Sequence, residues 1–593
     1  MQLTTLDWLF IVVYFVITIG IGLYYRARAS QNVDEFFLSG RNIPWWLAGT
    51  SMVATTFAAD TPLAVTGLVF KGGIAGNWLW WNMVASGMMT VFLYARLWRR
   101  SGVMTDIEFS EIRYSGKPAA FLRGFRAVYL GIPINCIVVG WVNLAMVKIL
   151  ELVLGVDKLT ALAIVMGLIA LTSLISTLSG LWGVLVTDAF QFVIMMAMTL
   201  VLAFAAVSAA GGMEGLLGKL RSIDALRGVA PGDPGSVLGF VPDLNSTWMP
   251  MITFGVYIGM TWWSTWYPGA EPGGGGYVAQ RMFCAKDEKH SLLATLWFQI
   301  AHYAIRPWPW ILTALSAMVL YPNLNDPETG YVRVLVDHLP PMFRGVMLAS
   351  FIAAYMSTIA TQLNWGASYL VNDVYRRFIR PEAAQEELVR VGQLSTIFIT
   401  LVSAVVTYNM DSITGAWKLL IVTGAGTGLV LLLRWYWWRI NAWSEVAAMT
   451  VAAIVSIYLQ TSAGMDSEKP EDFAWIMIYT VSLTTLAWVV TTFLTKPEPW
   501  PVLEEFYRRT RPSRGGWGPV AARIPEVKAD GELTSNLICW LVGCVLIYSA
   551  LFGVGKLILG SPWVGIRFLV LAAASGWYLY RTLARRGWSS ISE

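Results

Sequence analysis

The sequence predicts an all-α polytopic membrane protein, and three observations carry that prediction. Hydrophobic residues make up 56% of the 593 residues, and the mean hydropathy is +0.57. Only 13% of the residues are charged, about half the share of a typical soluble domain. Apolar runs of about twenty residues recur, each long enough to cross a bilayer as a helix. This composition excludes a soluble multidomain protein, and the net charge of +5 is too small to indicate nucleic-acid binding.

Fifteen apolar runs follow one another along the chain, separated by charged or Gly- and Pro-containing segments. Each run is predicted to be a membrane-spanning helix. The predicted spans are 6–25, 44–70, 76–97, 125–153, 159–178, 181–210, 247–268, 291–320, 344–371, 389–409, 411–438, 443–463, 474–494, 536–558 and 562–584.

The basic residues predict the orientation of the spans in the cell (inner) membrane. With the N-terminus outside, 28 of the 42 Lys and Arg residues fall in inner loops or the C-terminal tail, and 10 fall in outer loops. The first span begins beside Asp7 and has no basic region before it. No small-residue cleavage pattern follows it, so we expect it to be retained. The C-terminus is therefore predicted to be cytoplasmic.

Two spans contain residues that do not fit a continuous helix. The second includes ATTFAADTP (54–62), and the seventh ends in YPGAEPGGGGY (267–277). Pro removes a helical hydrogen bond, and Gly weakens a helix interior. The breaks occupy matching places in two groups of five spans, residues 44–210 and 247–438. Interrupted spans at matching places of an inverted repeat indicate a transporter whose binding site lies at the membrane midplane.

The remaining segments are assigned by their position relative to these two repeats. Residues 1–43 are the predicted first helix and its inner loop, and residues 211–246 form an outer loop. Residues 439–593 hold four further helices, and within them residues 496–535 form a basic, Pro-rich inner linker. The four cysteines lie in or near spans and imply no disulfide framework.

The ninth span carries small and hydroxyl side chains on one face. Ala354, Ser357, Thr358 and Thr361 stand at i, i+3, i+4 and i+7. Lipid cannot satisfy hydroxyl oxygens, so this face must contact protein, water or an ion. A cluster of neutral oxygens suits Na⁺. The same pattern also fits close helix packing with hydroxyls bonded to the preceding turn, so the stripe alone leaves both interpretations open.

Several segments together resemble the sodium/solute symporter family, which includes sodium/glucose, proline, sialic acid and inositol cotransporters. They occur in the family's order and spacing, and the resemblance covers about residues 5–440. It implies a LeuT-like fold in which spans two to eleven form a 5+5 inverted repeat, with one helix before it and about four after it. The segments are Asp34 to Arg41 followed by Trp45-Trp46, Ser179-Gly180-Leu181 leading into Thr187-Asp188 and Gln191, Gln280-Arg281 followed by Ala285 to Asp287, and Ala354 to Asn364.

The resemblance also implies a sodium site where the broken second span meets the ninth. The matching ligands are the backbone carbonyls of Ala54, Phe57 and Ala354 and the hydroxyls of Ser357 and Thr358. All five are neutral, so we expect modest affinity and ready release of the ion.

A second sodium is implied near Asp188, because some family members place a further ion beside the matching carboxylate. The hydroxyls of Ser357 and Thr361 would complete this site, although Ala360 replaces a hydroxyl that such members carry. A carboxylate inside a membrane is costly unless it is paired or coordinating. The alternative is a structural Asp188 hydrogen-bonded to Thr361 or Gln191.

The substrate cavity is expected between the two helix breaks. Aromatic rings there would stack on a sugar or close a gate by packing, although most of the 30 Trp residues belong to interfaces or the core. Sugar-transporting relatives use acidic and amide side chains where this chain has Trp80 and Thr61, which argues against simple glucose or galactose. The candidates are Thr55, Thr56, Asp60, Thr61, Trp80, Asn82, Trp262, Trp263, Trp266 and Tyr267.

Arg306 lies near the middle of the eighth span and is a further substrate-binding candidate. A midplane Arg requires an anionic partner. It would bind a substrate carboxylate through two parallel hydrogen bonds, or pair with Asp60, Glu271 or Asp188.

Together these features predict a Na⁺-coupled secondary active symporter that imports a small organic solute by alternating access, and no enzyme. A sugar or sugar derivative is favoured. The alternative is a proton- or Na⁺-coupled transporter of amino acids or carboxylates. A membrane sensor would need an output domain, and none is recognised. A channel would need a continuous polar pore, and counterflow assays would distinguish it from a carrier. The expected partners are Na⁺, the solute and the lipid bilayer, without nucleic acid, and the protein is expected to work as a monomer.

Overall fold

The computed structural model describes residues 4–29, 38–103, 105–230, 233–529 and 533–585. Across these ranges the chain is helical and forms no β-strand, while an isolated bridge pairs Ile43 with Ala285. The motif residues Asp34 to Phe37, the linker residues 530–532 and Arg586 lie outside the described residues, as does the side chain of Ser179.

The first part of the chain holds eleven α-helices among the described residues. Two 3₁₀ turns (Ser39–Arg41 and Ile74–Asn77) and two π-helical turns (Thr90–Tyr94 and Leu130–Ile134) lie between them. The helices are α1 (Thr5–Ala29), α2 (Trp45–Thr56), α3 (Asp60–Gly72), α4 (Trp78–Trp81), α5 (Val84–Met89), α6 (Ala95–Ser101), α7 (Phe109–Arg113), α8 (Gly116–Tyr129), α9 (Asn135–Leu154), α10 (Lys158–Ala209) and α11 (Gly212–Leu226).

The second part continues in the same way. Its π-helical turns are Tyr257–Thr261, Ala301–Ile305 and Tyr369–Ile379, and its 3₁₀ turns are Pro327–Thr329 and Gly515–Trp517. The helices are α12 (Met251–Val256), α13 (Trp262–Ser264), α14 (Gly276–Cys284), α15 (Glu288–Ile300), α16 (Pro307–Leu320), α17 (Gly330–His338), α18 (Pro341–Ser368), α19 (Gln385–Tyr408), α20 (Ile413–Thr423), α21 (Gly428–Leu433), α22 (Ala442–Thr461), α23 (Pro470–Leu494), α24 (Trp500–Thr510), α25 (Gly518–Ala521), α26 (Leu533–Ile558) and α27 (Pro562–Arg585).

The predicted spans coincide with these helices, but fewer of them are continuous. In the described part of the chain, nine helices are long and apolar enough to cross a membrane, and α2 with α3 forms a tenth, bent crossing. The other five predicted spans correspond to shorter helical pieces. π-helical turns divide several of them, because one extra residue per turn interrupts the regular hydrogen-bond ladder. These five segments are 78–101, 158–173, 251–264, 288–320 and 413–433.

The first predicted break is present as a 58° bend between α2 and α3. α2 ends at Thr56, and Phe57 leaves the helical region at φ −94° and ψ 55°. α3 begins at Asp60, and Pro62 stands in its first turn, where a helix tolerates a residue without an N–H. Residues 57–59 between the helices are fully buried, so their backbone groups must find partners inside the protein.

The second predicted break is also present, between α13 and α14. The chain becomes extended at Thr265 and stays irregular until Gly276. The Thr265 hydroxyl donates to the Ile421 carbonyl at 2.5 Å, and the Gly426 amide donates to the Ser264 carbonyl at 2.7 Å. The end of α20 and the segment that joins it to α21 therefore supply hydrogen-bond partners to this break.

Two predicted crossings, 159–178 and 181–210, belong to the 52-residue helix α10. A straight helix of that length would measure about 78 Å, more than twice the thickness of a bilayer core. Trp182 stacks on Tyr25 near the end of α1, whereas Lys158 donates to the carbonyl of Tyr408 at the end of α19. α19 begins beside Tyr375, in a predicted inner loop. Lys158 and Trp182 thus lie at opposite ends of one crossing. After Trp182, Gln191 donates to the hydroxyl of Tyr14, which lies back along α1, so the chain turns back within α10.

The predicted inner loops contact one another at one end of the protein. Arg123 pairs with Asp373 at 2.5 Å, and the Arg113 side chain donates to the Arg434 carbonyl at 2.8 Å. Burial alone would raise the pKa of Glu111 in α7, but hydrogen bonds and charge from Arg377 and Arg123 outweigh burial and lower that pKa below its usual value. These loops share one face, as alternating spans require.

The C-terminal segments pack onto the repeat region. In the inner linker, Glu498 accepts the Ser115 amide at 2.9 Å. In α26, the Trp540 ring N–H donates to the Ala85 carbonyl and the Tyr548 hydroxyl to the Trp81 carbonyl, both at 2.8 Å. The linker therefore packs against a predicted inner loop, and α26 covers the third predicted span.

Candidate functional site

The hydroxyl-bearing face of α18 meets the broken end of α2. The Thr358 hydroxyl lies 3.1 Å from the Thr55 carbonyl and 3.1 Å from the Ala354 carbonyl. The Phe57 amide donates to the Ala54 carbonyl at 3.0 Å, which closes the last turn of α2. The predicted ligands Ala54, Phe57, Ala354, Ser357 and Thr358 lie on the two segments that meet here, and each is less than 9% exposed. Their assignment as sodium ligands stays a prediction.

The five predicted sodium ligands at this junction are neutral oxygen atoms. The bend ends the regular ladder of α2, so carbonyls near Thr56 are satisfied by side chains instead. Thr358 serves the Thr55 carbonyl, and the Thr61 hydroxyl donates to the Thr56 carbonyl at 3.2 Å. Carbonyl and hydroxyl oxygens at a helix break are groups that can replace the water shell of an alkali cation.

Asp188 lies beside this junction in a hydrogen-bonded cluster. The Ser357 hydroxyl donates to one of its carboxylate oxygens, and the Ser51 hydroxyl donates to the other at 2.6 Å. Arg281 lies 4.0 Å from Asp188 and donates to the Ser51 oxygen at 3.3 Å. Sequence reasoning missed Ser51 and Arg281 as partners. The available signals were the Gln280-Arg281 motif and the position of Ser51 three residues before Ala54.

The interpretation of Asp188 as a carboxylate bonded to Thr361 or Gln191 is wrong. Gln191 donates to the Tyr14 hydroxyl at 2.8 Å instead. The Thr361 hydroxyl is buried and has no hydrogen-bond partner within the described ranges. Inside a membrane protein such an oxygen is costly to leave unsatisfied.

A cavity of about 90 Å³ lies between the two helix breaks, as predicted. Seven predicted substrate-binding residues line it: Thr55, Thr56, Asp60, Thr61, Trp80, Tyr267 and Arg306. Thr358 also lines it, so the cavity adjoins the sodium junction.

Four predicted substrate-binding residues, Asn82, Trp262, Trp263 and Trp266, do not line this cavity. Asn82 donates to the carbonyls of its own preceding turn at 2.8 and 2.9 Å. Trp262 and Trp263 likewise donate to carbonyls four residues earlier, and Trp266 stacks on Trp365 at 6.3 Å. The π-helical turn before α13 changes the phase of the helix, so its side chains face other directions than a regular helix predicts.

The cavity contains further residues that sequence reasoning missed. His302, Tyr303 and Gln362 contribute polar atoms, and Trp141 and Trp417 contribute rings. His302 stands four residues before Arg306, on the same helix face, and that spacing was a readable signal. The positions of Trp141 and Trp417 gave no such signal, because a Trp that faces a cavity and a Trp that faces lipid look alike in a sequence.

Arg306 is 1% exposed and is held by neutral groups. Its guanidinium donates to the Thr56 hydroxyl at 2.9 Å and to His302 Nδ1 at 2.6 Å. It also packs between the rings of Phe57 and Trp310. Among the described residues no carboxylate oxygen lies within 4 Å of it, so direct pairing with Asp60, Glu271 or Asp188 is wrong.

Comparisons with known proteins agree with this architecture. The model of the "Sodium:solute symporter family" matches residues 36–452. The chain is 24% identical to a sodium/glucose cotransporter of Vibrio parahaemolyticus over 83% of this chain and 91% of that protein. It is 24% identical to the high-affinity proline transporter PutP of Bacillus subtilis (strain 168) over 82% of this chain and 97% of that one.

A solved structure has the same fold. It is a substrate-bound, outward-open Na⁺-coupled sialic acid symporter, and the reported work on it describes a novel Na⁺ site in that protein. It superposes with a TM-score of 0.64 at 18% identity, covering 84% of this chain and 99% of that one. The fold is therefore LeuT-like, as predicted, whereas the residue bounds of the two repeats stay predictions.

Proposed function

The chain belongs to the sodium:solute symporter family and is a multi-pass membrane protein that couples Na⁺ to solute transport, and from this premise we propose how its own residues perform that coupling. The observation that carries the proposal is the contact of Thr358 with the Thr55 carbonyl, which joins α18 to the unwound end of α2.

The coupling Na⁺ binds at this junction, between the carbonyls of Ala54, Phe57 and Ala354 and the hydroxyls of Ser357 and Thr358. Two of these residues belong to one predicted repeat and three to the other, so the bound ion holds the two repeats together. A second candidate Na⁺ site uses Asp188, Ser357 and Thr361. The unsatisfied Thr361 hydroxyl supports it, because an ion would supply the missing partner.

The solute binds in the adjoining cavity lined by Asp60, Trp80, Tyr267 and Arg306. Na⁺ binding from outside holds α2 against α18 and so fixes Thr55 and Thr56, which line the cavity. The repeats then rock, and the neutral ligands release Na⁺ to the inside, followed by the solute. The similar proteins include cotransporters of sugars and of proline, so the similarity alone does not identify the solute.

The energy of one ion suffices for concentrative uptake. One Na⁺ moving down roughly 100 mV supplies about 2.3 kcal/mol. A tenfold Na⁺ gradient adds about 1.4 kcal/mol. The sum of about 3.7 kcal/mol would concentrate a solute of zero net charge several-hundredfold.

The protein lies in a cell membrane, with its N-terminus outside the cell and its C-terminus in the cytoplasm. The distribution of Lys and Arg supports this orientation, and so does the clustering of the predicted inner loops on one face. The protein works as a monomer, because its two repeats form the whole cavity within one chain.

The test of the sodium junction is the melting temperature of the purified full-length protein in NaCl and in choline chloride at fixed pH. We expect Na⁺ to raise the melting temperature of the wild type, since a ligand that binds only the folded state stabilises it. Ser357→Ala combined with Thr358→Ala should abolish the Na⁺ response. Ser350→Ala is the matched control. Its buried hydroxyl lies on the same helix but donates to its own preceding turn, to the Val346 carbonyl.

A Na⁺ response that survives the double substitution would place the coupling ion elsewhere. Proton coupling would be favoured if the melting temperature of the wild type changed with pH but was the same in NaCl and in choline chloride.

A further inference from the structure

We propose that the solute is a small zwitterion whose carboxylate binds Arg306 and whose ammonium group binds Asp60. This inference rests on the proposed transport function and adds the substrate class. It follows from two opposite charges that line one cavity without being paired.

Arg306 brings a positive charge that has no direct ion-pair partner among the described residues, although Asp60 acts on it electrostatically from beyond 4 Å. It is 1% exposed, its hydrogen-bond partners are neutral, and no carboxylate oxygen of the described chain lies within 4 Å. A buried charge without a counter-charge is strongly unfavourable. A carboxylate in the adjoining cavity would supply the counter-charge and is the anion whose shape matches a guanidinium.

Asp60 brings the opposite charge to the same cavity. It is 4% exposed and stands at the first turn of α3, directly after the break. Within the described ranges, no Lys or Arg nitrogen lies within 4 Å of it, and no side chain donates a hydrogen bond to it. A cationic nitrogen supplies the counter-charge, and one that carries N–H groups also donates hydrogen bonds to this carboxylate.

Aromatic rings form much of the cavity wall and favour a bound cation. Trp80, Trp141, Tyr267 and Trp417 all line the cavity, and Trp141 stacks on Tyr267 at 6.3 Å. Ring faces attract ammonium groups, most strongly where water is excluded.

A neutral sugar would give neither charge a direct ion-pair partner, and a simple carboxylate would pair directly only with Arg306. A zwitterion neutralises both and carries no net charge.

The test is the affinity of the purified full-length protein for matched probes, measured by calorimetry in NaCl and in choline chloride. The zwitterions are glycine betaine, L-proline and L-glutamine. L-proline methyl ester lacks the carboxylate, cyclopentanecarboxylate lacks the ammonium group, and D-glucose is neutral. We expect at least one zwitterion to bind in NaCl, and to bind at least about tenfold more tightly than its singly charged analogues and D-glucose.

Two variants test which residue binds which charged group of the solute. In Arg306→Gln, the zwitterion should bind no more tightly than its ester. In Asp60→Asn, the zwitterion should bind no more tightly than the analogue that has a carboxylate but no ammonium group. Arg333→Gln is the matched control, because Arg333 is exposed and distant from the cavity lining. Na⁺-induced stabilisation of each variant, measured without solute, shows that it is folded.

The inference is overturned if D-glucose or a singly charged analogue binds as tightly as the zwitterions, or if no zwitterion binds in NaCl. In either case a retained Na⁺ response of the solute-free wild type leaves the proposed sodium junction standing. Loss of that response would be the failure of the proposed function instead.

Discussion

Ser357 and Thr358 are neighbours on α18, yet their hydroxyls serve different groups. Thr358 bonds to backbone carbonyls at the sodium junction, and Ser357 donates its proton to Asp188. The oxygen of Ser357 keeps its lone pairs and can still coordinate an ion. One serine therefore connects the two candidate sites, which explains why a hydroxyl at this position is useful to both.

Thr361 gives the sharpest single-residue prediction about the second site. Thr361→Val keeps the shape of the side chain but removes a buried hydroxyl that has no partner in the described chain. Leaving such a group unsatisfied costs about 1–3 kcal/mol. We therefore expect the Na⁺-free melting temperature to stay the same or rise, while a higher Na⁺ concentration is needed for half of the stabilisation.

Thr313→Val is the control for this change. Thr313 is equally buried, but its hydroxyl donates to the Pro309 carbonyl of its own helix. It should leave the Na⁺ titration unchanged. A Thr361→Val protein with a wild-type Na⁺ titration would show that Thr361 binds no ion.

Among the helices, the breaks were the most predictable features and the helix phase was the least. Asp60, Pro62 and the glycines of residues 267–277 made both breaks readable, because these residue types disfavour a continuous helix. Trp262 and Trp263 were misplaced because a π-helical turn precedes them. Such a turn has no residue signature, so side-chain directions beyond it cannot be read from a 3.6-residue period.

The second break depends on close backbone contact with α21, and Gly428 makes that contact possible. A Cβ atom there would lie 2.2 Å from the Trp263 carbonyl oxygen. We expect Gly428→Ala to destabilise the protein by about 1–3 kcal/mol or more, because backbone on both sides would have to move. The fall in melting temperature measures this.

Gly255→Ala is the matched control, since a Cβ atom at that helical position meets nothing within 4 Å. The alanine should be neutral or slightly stabilising, because Ala has the higher helix propensity. Equal melting temperatures for the two variants would contradict the proposed packing of the second break.

Across the whole molecule, Asp188 and its partners join four helices that the sequence assigns to both repeats. Ser51 lies on α2, Asp188 on α10, Arg281 on α14 and Ser357 on α18. The resemblance to the family located Asp188 and Ser357, but the cluster forms only in the folded chain. Contacts between distant spans leave no local pattern, and for the same reason the lining residues Tyr303 and Gln362 were missed.

The proposed orientation predicts opposite accessibility for the two faces. Ser222→Cys, exposed on α11, should react with a membrane-impermeant maleimide in intact cells. Glu505→Cys, exposed on α24, should react only after the membrane is opened or inverted. The native cysteines give a low background, because three are buried and Cys544 is partly buried. Labelling of Glu505→Cys in intact cells would reverse the orientation.

Density for the coupling ion tests the sodium junction itself. High-resolution structures of the full-length protein in NaCl and in choline chloride would be compared at the break between α2 and α3. We predict a peak present only in NaCl, enclosed by the carbonyls of Ala54, Phe57 and Ala354 and the hydroxyls of Ser357 and Thr358. No sodium-dependent peak there, with α2 and α3 joined as one regular helix, would contradict the proposal.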